Sequence, residues 1–209
     1  LEATKGVGPH TISVPRIRDA DGIKASKFKN GIDDETFAKI VTVIRLAVPY
    51  TGMIISTRES QIVREKVIEL GVSQISGGSK TSVGGYSALQ KVTDTEQFDI
   101  NDNRSLDEIV SWLMDLKYVP SFCTACYRSN RTGDRFMKLA KTGQISNCCH
   151  PNALITLKEY IEEYASTETR TKGEQLIQEE LINISNMDIR KKTEEFLSSE
   201  FKGRRDFRF

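Results

Sequence analysis

All four cysteines of this 209-residue chain fall in one stretch: Cys123, Cys126, Cys148 and Cys149. Cys123-Thr-Ala-Cys126 is followed by Cys149 after 22 intervening residues, and this spacing holds the most chemistry in the sequence. A C-x-x-C turn aims two sulfurs at one point, and thiolates are soft ligands suited to zinc or iron. Of the neighbours Cys148 and Cys149, only one is expected to face the same centre. Three thiolates suit an iron–sulfur cubane that leaves one iron open. A structural zinc site closes with four ligands, and Cys148 or His150 is at hand as the fourth. Spacing alone leaves the two metals evenly matched. A disulfide is disfavoured, because clustered cysteines without a secretory signal read as reduced thiols or ligands.

A second group of candidates follows short apolar runs. Arg58 comes just after Gly52-Met-Ile-Ile-Ser56 and can hold a carboxylate bidentately, the plainer alternative being an ion pair with Glu59, Glu65 or another acid. The stretch Ser76 to Tyr86 has four glycines and three serines, so its N–H groups and hydroxyls can grip a carboxylate, ribose or phosphate. It fits neither the P-loop nor the dinucleotide fingerprint, and a plain flexible loop is the default. Arg16 and Arg18 end the first strand and can reach a ligand on that face, the alternative being a solvated turn. His10 and His150 are read as structural, with His150 near enough to Cys149 to touch a metal. Arg128-Ser-Asn-Arg131 beside Tyr127 looks only superficially like a nucleic-acid contact. The closing Lys202 to Phe209 stretch is read as a docked or a disordered tail.

The elements that must position these groups alternate. Residues 11–17 read as a strand with Pro15 near its end. Asp33 or Asp34 caps a helix carrying Phe37, Ile40, Val41, Ile44 and Val48, which Pro49 ends. Gly52 to Ser56 reads as a strand buried on both faces, followed by a helix through Ile62, Val63, Val67, Ile68 and Leu70 and a strand at Val72 to Ile75. Strand–helix–strand–helix–strand is βαβ grammar, but three strands cannot close a barrel. The expected fold class is therefore α/β: the last strands and helices of a (β/α)8 TIM barrel over 1–90, a polar connector over 91–105, and a mostly helical domain over 106–209. In that domain Ser105 caps a helix with Leu106, Ile109, Val110, Leu113 and Leu116 inward. A helix over 132–140 separates the two halves of the cysteine pattern. Three more follow Pro151, on Leu154, Leu157, Ile161 and Tyr164, then Leu176, Ile177, Leu181 and Ile182, then Ile189, Phe196, Leu197 and Phe201.

Composition narrows the partners. Thirty basic residues against 29 acidic give a net charge of +1, too little for a global field toward nucleic acid or an acidic membrane. No apolar run reaches the length of a membrane helix and no signal-like start is seen, so a cytoplasmic location is expected. The chain opens on Leu1-Glu2-Ala3 rather than methionine, and an upstream portion is expected.

Gly8-Pro-His-Thr-Ile-Ser-Val-Pro-Arg16, Ile55-Ser-Thr-Arg-Glu59, Ile75-Ser-Gly-Gly-Ser-Lys-Thr-Ser-Val-Gly-Gly-Tyr86 and Cys123-Thr-Ala-Cys-Tyr-Arg128 together resemble the HydG family of FeFe-hydrogenase maturases. These are radical S-adenosylmethionine (SAM) tyrosine lyases of the 2-iminoacetate synthase kind. The resemblance spans the whole chain but only the family's C-terminal part. The first three motifs are shared with the thiamine-pathway tyrosine lyase ThiH, whereas C-x2-C-x22-C distinguishes the maturase. The resemblance implies cleavage of tyrosine to p-cresol and dehydroglycine, then conversion of the latter to CO and cyanide at an auxiliary 4Fe-4S cluster. It makes Cys123, Cys126 and Cys149 that cluster's ligands, its fourth iron free to meet an additional iron, and leaves Cys148 out. Arg58, the Ser76–Ser79 turn and Arg16 become carboxylate-gripping positions for tyrosine or SAM. No catalytic residue is assigned.

The C-x3-C-x2-C motif for the SAM-cleaving 4Fe-4S cluster is absent, since no cysteine precedes Cys123. SAM and that cluster would be bound mainly by a missing N-terminal barrel portion, and this chain alone is expected to be inactive. Other hydrogenase maturation proteins are the implied partners. The rivals are a non-catalytic, zinc-stabilised interaction module and a ThiH-like lyase.

Overall fold

The computed structural model describes residues 4, 8–20, 22–82, 84–86 and 97–209, with the side chains of 200 and 201 also set aside. Residues 1–3, Val83 of the glycine-rich stretch and 91–96 of the expected connector lie outside the described residues. The chain forms two compact units, Leu1–Ser105 and Leu106–Phe209.

The first unit is α/β. Its strands are β1 (Thr11–Ser13), β2 (Gly52–Ile55) and β3 (Gln74–Ile75), joined through helices α1 (Asp34–Ala47) and α2 (Gln61–Glu69). All pairing is parallel, in the order β1-β2-β3, with Ile12 opposite Met53 and Ile55 opposite Ile75. β1 stops before Pro15, which has no N–H for a ladder. Asp33 caps α1 by accepting from Thr36 N at 2.7 Å, and Ser60 caps α2 through Val63 N.

The strand Gly52–Ile55 is not buried on both faces as its composition suggests. Met53 and Ile55 are enclosed with Phe37, Val41, Val63, Val67 and Val72, while Gly52 and Ile54 are half-buried. Both crossover helices pack on the Met53 and Ile55 face of the sheet. Ile62 is 79% exposed, because α2 turns Val63, Val67 and Ile68 to the sheet and Ile62 to the opposite side.

The second unit is helical: α3 (Leu106–Asp115), the single turn α4 (Ala125–Arg128), α5 (Asp134–Lys141), α6 (Ser146–Glu163), α7 (Thr167–Leu181) and α8 (Met187–Phe201). Its core gathers Val110, Met114, Leu154, Ile155, Leu157, Ile161, Leu176, Ile177 and Leu197. Leu106 and Leu116 are exposed instead of inward, and Trp112 and Met114 are buried in their place. Burial around α3 covers nearly its whole circumference over 109–114 instead of one stripe. Ile182 is exposed past the end of α7.

α6 begins before Pro151, not after it. Its entry is wound tightly, with Cys148 N donating to Ile145 O at 3.0 Å, and Pro151, its sixth residue, forgoes one i→i−4 bond while the buried later turns hold the helix. That places Cys148, Cys149 and His150 on the first turns of an 18-residue helix. The closing stretch is docked: Phe207 stacks on Phe196 at 4.5 Å, and Phe209 N donates to Asn152 Oδ1 at 2.9 Å. Among the described residues no helix is long and apolar enough to cross a membrane.

Candidate functional site

In a parallel sheet the carboxyl ends of all strands lie along one edge, and loops there carry most ligand chemistry. Arg58, Ser76 and Ser79 are all placed at that edge. Ser76 N donates to Ile55 O at 3.2 Å, which sets the start of the glycine-rich turn beside the end of β2. The Arg58 guanidinium lies 3.7 Å from the centroid of the Phe98 ring, and no carboxylate pairs with it among the described residues. The hydroxyls of Ser76 and Ser79 likewise have no hydrogen-bond partner among the described residues.

Glu59 explains why Arg58 is unpaired. Its carboxylate, 1% exposed, is held between Arg16 and Arg18. Arg16 Nε donates to both Glu59 oxygens at 3.1 Å, Nη2 also pairs with Asp34 at 2.7 Å, and Nη1 donates to Ile32 O at 3.0 Å. Arg16 is itself buried against the Phe37 ring and is not part of a solvated turn. It fixes the turn that presents Arg58.

Sequence reading missed a second buried network. Arg64, fully enclosed on α2, donates to Asp102 Oδ2 and to Ser76 O, and Arg104 Nη2 closes on Asp102 at 2.7 Å. Burial acts to raise the Asp102 carboxyl, but Arg104 and Arg64 outweigh it and hold it below the ordinary carboxylate range. The signal was available: Arg64 sits four residues before Ile68 on the stripe that faces the sheet. Asn101 N and Asp102 N both donate to Thr57 O at 3.0 Å, so residues 98–104 are stitched along the same edge.

In the helical unit the four thiols are mutual electrostatic neighbours. Burial raises the Cys126 thiol; Arg131 acts against that, while Cys123 and Cys148 add to it. Cys149 is exposed as a residue, yet desolvation of its thiol, followed by Cys126, Cys123 and Cys148, pushes it up to about 11. Cys149 thus feels the charge of Cys123 and Cys126 across the 22-residue gap. Among the described residues no three His, Cys, Asp or Glu side chains are grouped to hold a metal ion. His150 pairs with Glu180 at 3.0 Å. Arg128 and Arg131 are taken up by Asp206 and by Cys148 with Phe209, not by an outside ligand.

The comparisons place this geometry among known proteins. A family described as Biotin and Thiamin Synthesis associated domain matches residues 13–119. The 2-iminoacetate synthase of Escherichia coli (strain K12) is 30% identical over 105 residues, 50% of this chain and 26% of that protein. Its Salmonella typhimurium counterpart is 31% identical over 104 residues, again 50% of this chain and 26% of that protein. The crystal structure of HydG, a maturase of the [FeFe]-hydrogenase, is 50% identical with a TM-score of 0.94, covering 100% of this chain and 45% of that one. The chain thus spans about a quarter of the matched curated relatives and under half of the maturase. The cysteine stretch lies beyond the family match but within the maturase match, and the chain belongs to the Biotin and Thiamin Synthesis associated domain family.

Proposed function

We propose that this chain is the C-terminal part of a HydG-type radical SAM tyrosine lyase: the last segment of a (β/α)8 barrel, then a helical domain for an auxiliary 4Fe-4S cluster. The carrying observation is the 50% identity to the maturase over the whole chain, the cysteine stretch included. The half-buried Ile54 face of β2 is the side a closed barrel would turn inward, opposite its helices.

The proposed ligands are Cys123, Cys126 and Cys149. The donor set fits: partly desolvated thiols whose thiolates would repel one another are costly to ionise alone, and a cationic iron core would offset that cost. A mononuclear zinc site would need a fourth donor beside these three thiols, closing at about 2.3 Å. When bound, such a cluster with an open iron supplies a Lewis-acidic, redox-active position.

The chain's own groups hold and orient. Arg58 leaves or tilts on Phe98 to meet the carboxylate of tyrosine or SAM, with Ser76 and Ser79 adding hydroxyl and N–H donors. Arg16, through Glu59, keeps that turn in place. The whole enzyme would cleave tyrosine to p-cresol and dehydroglycine in its barrel and turn the latter into CO and cyanide in the helical domain, in the cytoplasm, for other maturation proteins.

The test is Cys126→Ala in the intact enzyme. Expected are retained p-cresol formation, lost CO and cyanide, and reduced iron content. Loss of p-cresol to the same extent would defeat the two-site reading, and colourless wild-type protein holding zinc without iron or sulfide would support the interaction module. A lyase that stops at dehydroglycine, as the name 2-iminoacetate synthase of the curated relatives suggests, is the second reading, and wild-type p-cresol without CO would select it.

A further inference from the structure

Residues 204–209 lie across the turn that carries Cys123 and Cys126. Arg128, on α4, pairs with both oxygens of Asp206. Arg131 N donates to Cys126 O at 2.7 Å, which closes the turn. The side chain of Arg131 then divides: Nη1 donates to Cys148 Sγ at 3.2 Å and Nη2 to Phe209 O. Phe209 is held from the other side by Asn152, 2% exposed on α6, through its N–H at 2.9 Å. Asp206 N donates to Glu159 Oε1 at 2.7 Å, and Phe207 and Phe209 pack on Phe196. One short segment therefore touches the turn of the C-x-x-C pair, the helix that bears the second cysteine pair, and α8.

We infer that residues 204–209 are a clasp that holds the two halves of the cysteine pattern together, with Arg131 as the positioning residue between them. The physical reason is leverage. α4 is a single turn and the 123–131 stretch contributes only Ala125 to the buried residues, so its own packing supplies little to hold it. Phe122 anchors its start by stacking on Tyr160, and two arginines with partners on the closing segment hold the rest. A planar guanidinium can bridge a sulfur and a carbonyl at once, which an ammonium on a flexible stem does poorly. The clasp goes beyond the functional reading and does not depend on which metal the thiols take.

The experiment is amide hydrogen exchange on the reduced, metal-free full chain, comparing wild type with Arg131→Gln, Arg131→Lys and Asp206→Asn. Local opening free energies set these rates, so each variant is expected to exchange roughly tenfold or more faster across 123–131, with α7 amides unchanged. Asp206 is exposed and far from the thiols in sequence, so Asp206→Asn keeps the test decisive even if Arg131→Gln proves unstable. Unchanged exchange in Asp206→Asn overturns the clasp, and so does full protection in Arg131→Lys, which would reduce Arg131 to a charge. Because no metal is present, these outcomes are separate from iron uptake: wild type that takes up no iron would defeat the cluster reading and leave the clasp standing.

Discussion

A guanidinium over an aromatic ring, with no acid beside it, is ready to exchange partners. The cation–π contact of Arg58 with Phe98 is worth about 0.5–2 kcal/mol, less than a charge-assisted carboxylate contact of about 1.5–3 kcal/mol. On the proposed function, a substrate carboxylate would compete for it. In the intact enzyme Arg58→Ala should raise the apparent dissociation constant for tyrosine or SAM by roughly tenfold or more, measured by equilibrium binding; unchanged affinity for both would remove the clamp. The thiols make a pH prediction. Cys149, pushed up to about 11, is protonated at neutral pH in metal-free protein. Its alkylation rate should keep climbing between pH 9 and about 11, where an ordinary thiol has levelled off. Mass-resolved labelling of Cys149 across that range checks it.

Helix α7 packs against α6 at Gly173, where an added Cβ would meet Ile161 Cγ2 at 2.8 Å. Ile161 is fully enclosed and its β-branch has nowhere to turn. Helix propensity alone would favour Gly173→Ala by about 1 kcal/mol, but overpacking costs about 1–3 kcal/mol. The net expectation is a lower melting temperature. The network joining α2 to the 98–104 stretch is tested by acid. Asp102 has its pKa held below 3.8, so its contribution is present above that value and fades as pH falls through the lower folded one. Asp102→Asn should flatten the loss of stability below about pH 4 in a thermal-melt series. These elements were legible where one signal ruled: Asp33 at a helix start and Pro15 past a strand. They were misread where packing decides. Ile62, Leu106 and Ile182 are apolar at plausible spacing, yet which face a helix buries depends on neighbours remote in sequence. Pro151 suggested a boundary because a proline's preference is local, while α6 is held by the core on its later turns.

Two cores of unequal support make up the molecule. The α/β unit has strands of 3, 4 and 2 residues, with β1 and β3 unpaired on their outer sides among the described residues. The helical unit encloses Leu154, Ile155, Leu157 and Ile161 completely. Such short, open-edged sheets have little stability of their own. In urea, exchange or proteolysis should open residues 11–75 before 154–161; the reverse order would contradict this. The alternation of strands and helices was readable from residue types. The pairings Arg16–Glu59, Arg64–Asp102 and Arg131–Phe209 were not, because they link positions 38 to 78 apart, two by charge in a chain rich in both signs and one through a backbone oxygen.

Cys148 and Cys149 ride on the head of α6, a rod whose shaft is embedded in the core. Cys123 and Cys126 sit on a turn with almost no embedded mass of its own. The site is built like a vice with one fixed jaw and one that travels. Whatever body enters between the sulfurs, the accommodation falls on the 123–131 side, and the helix against which it closes stays where the fold has set it.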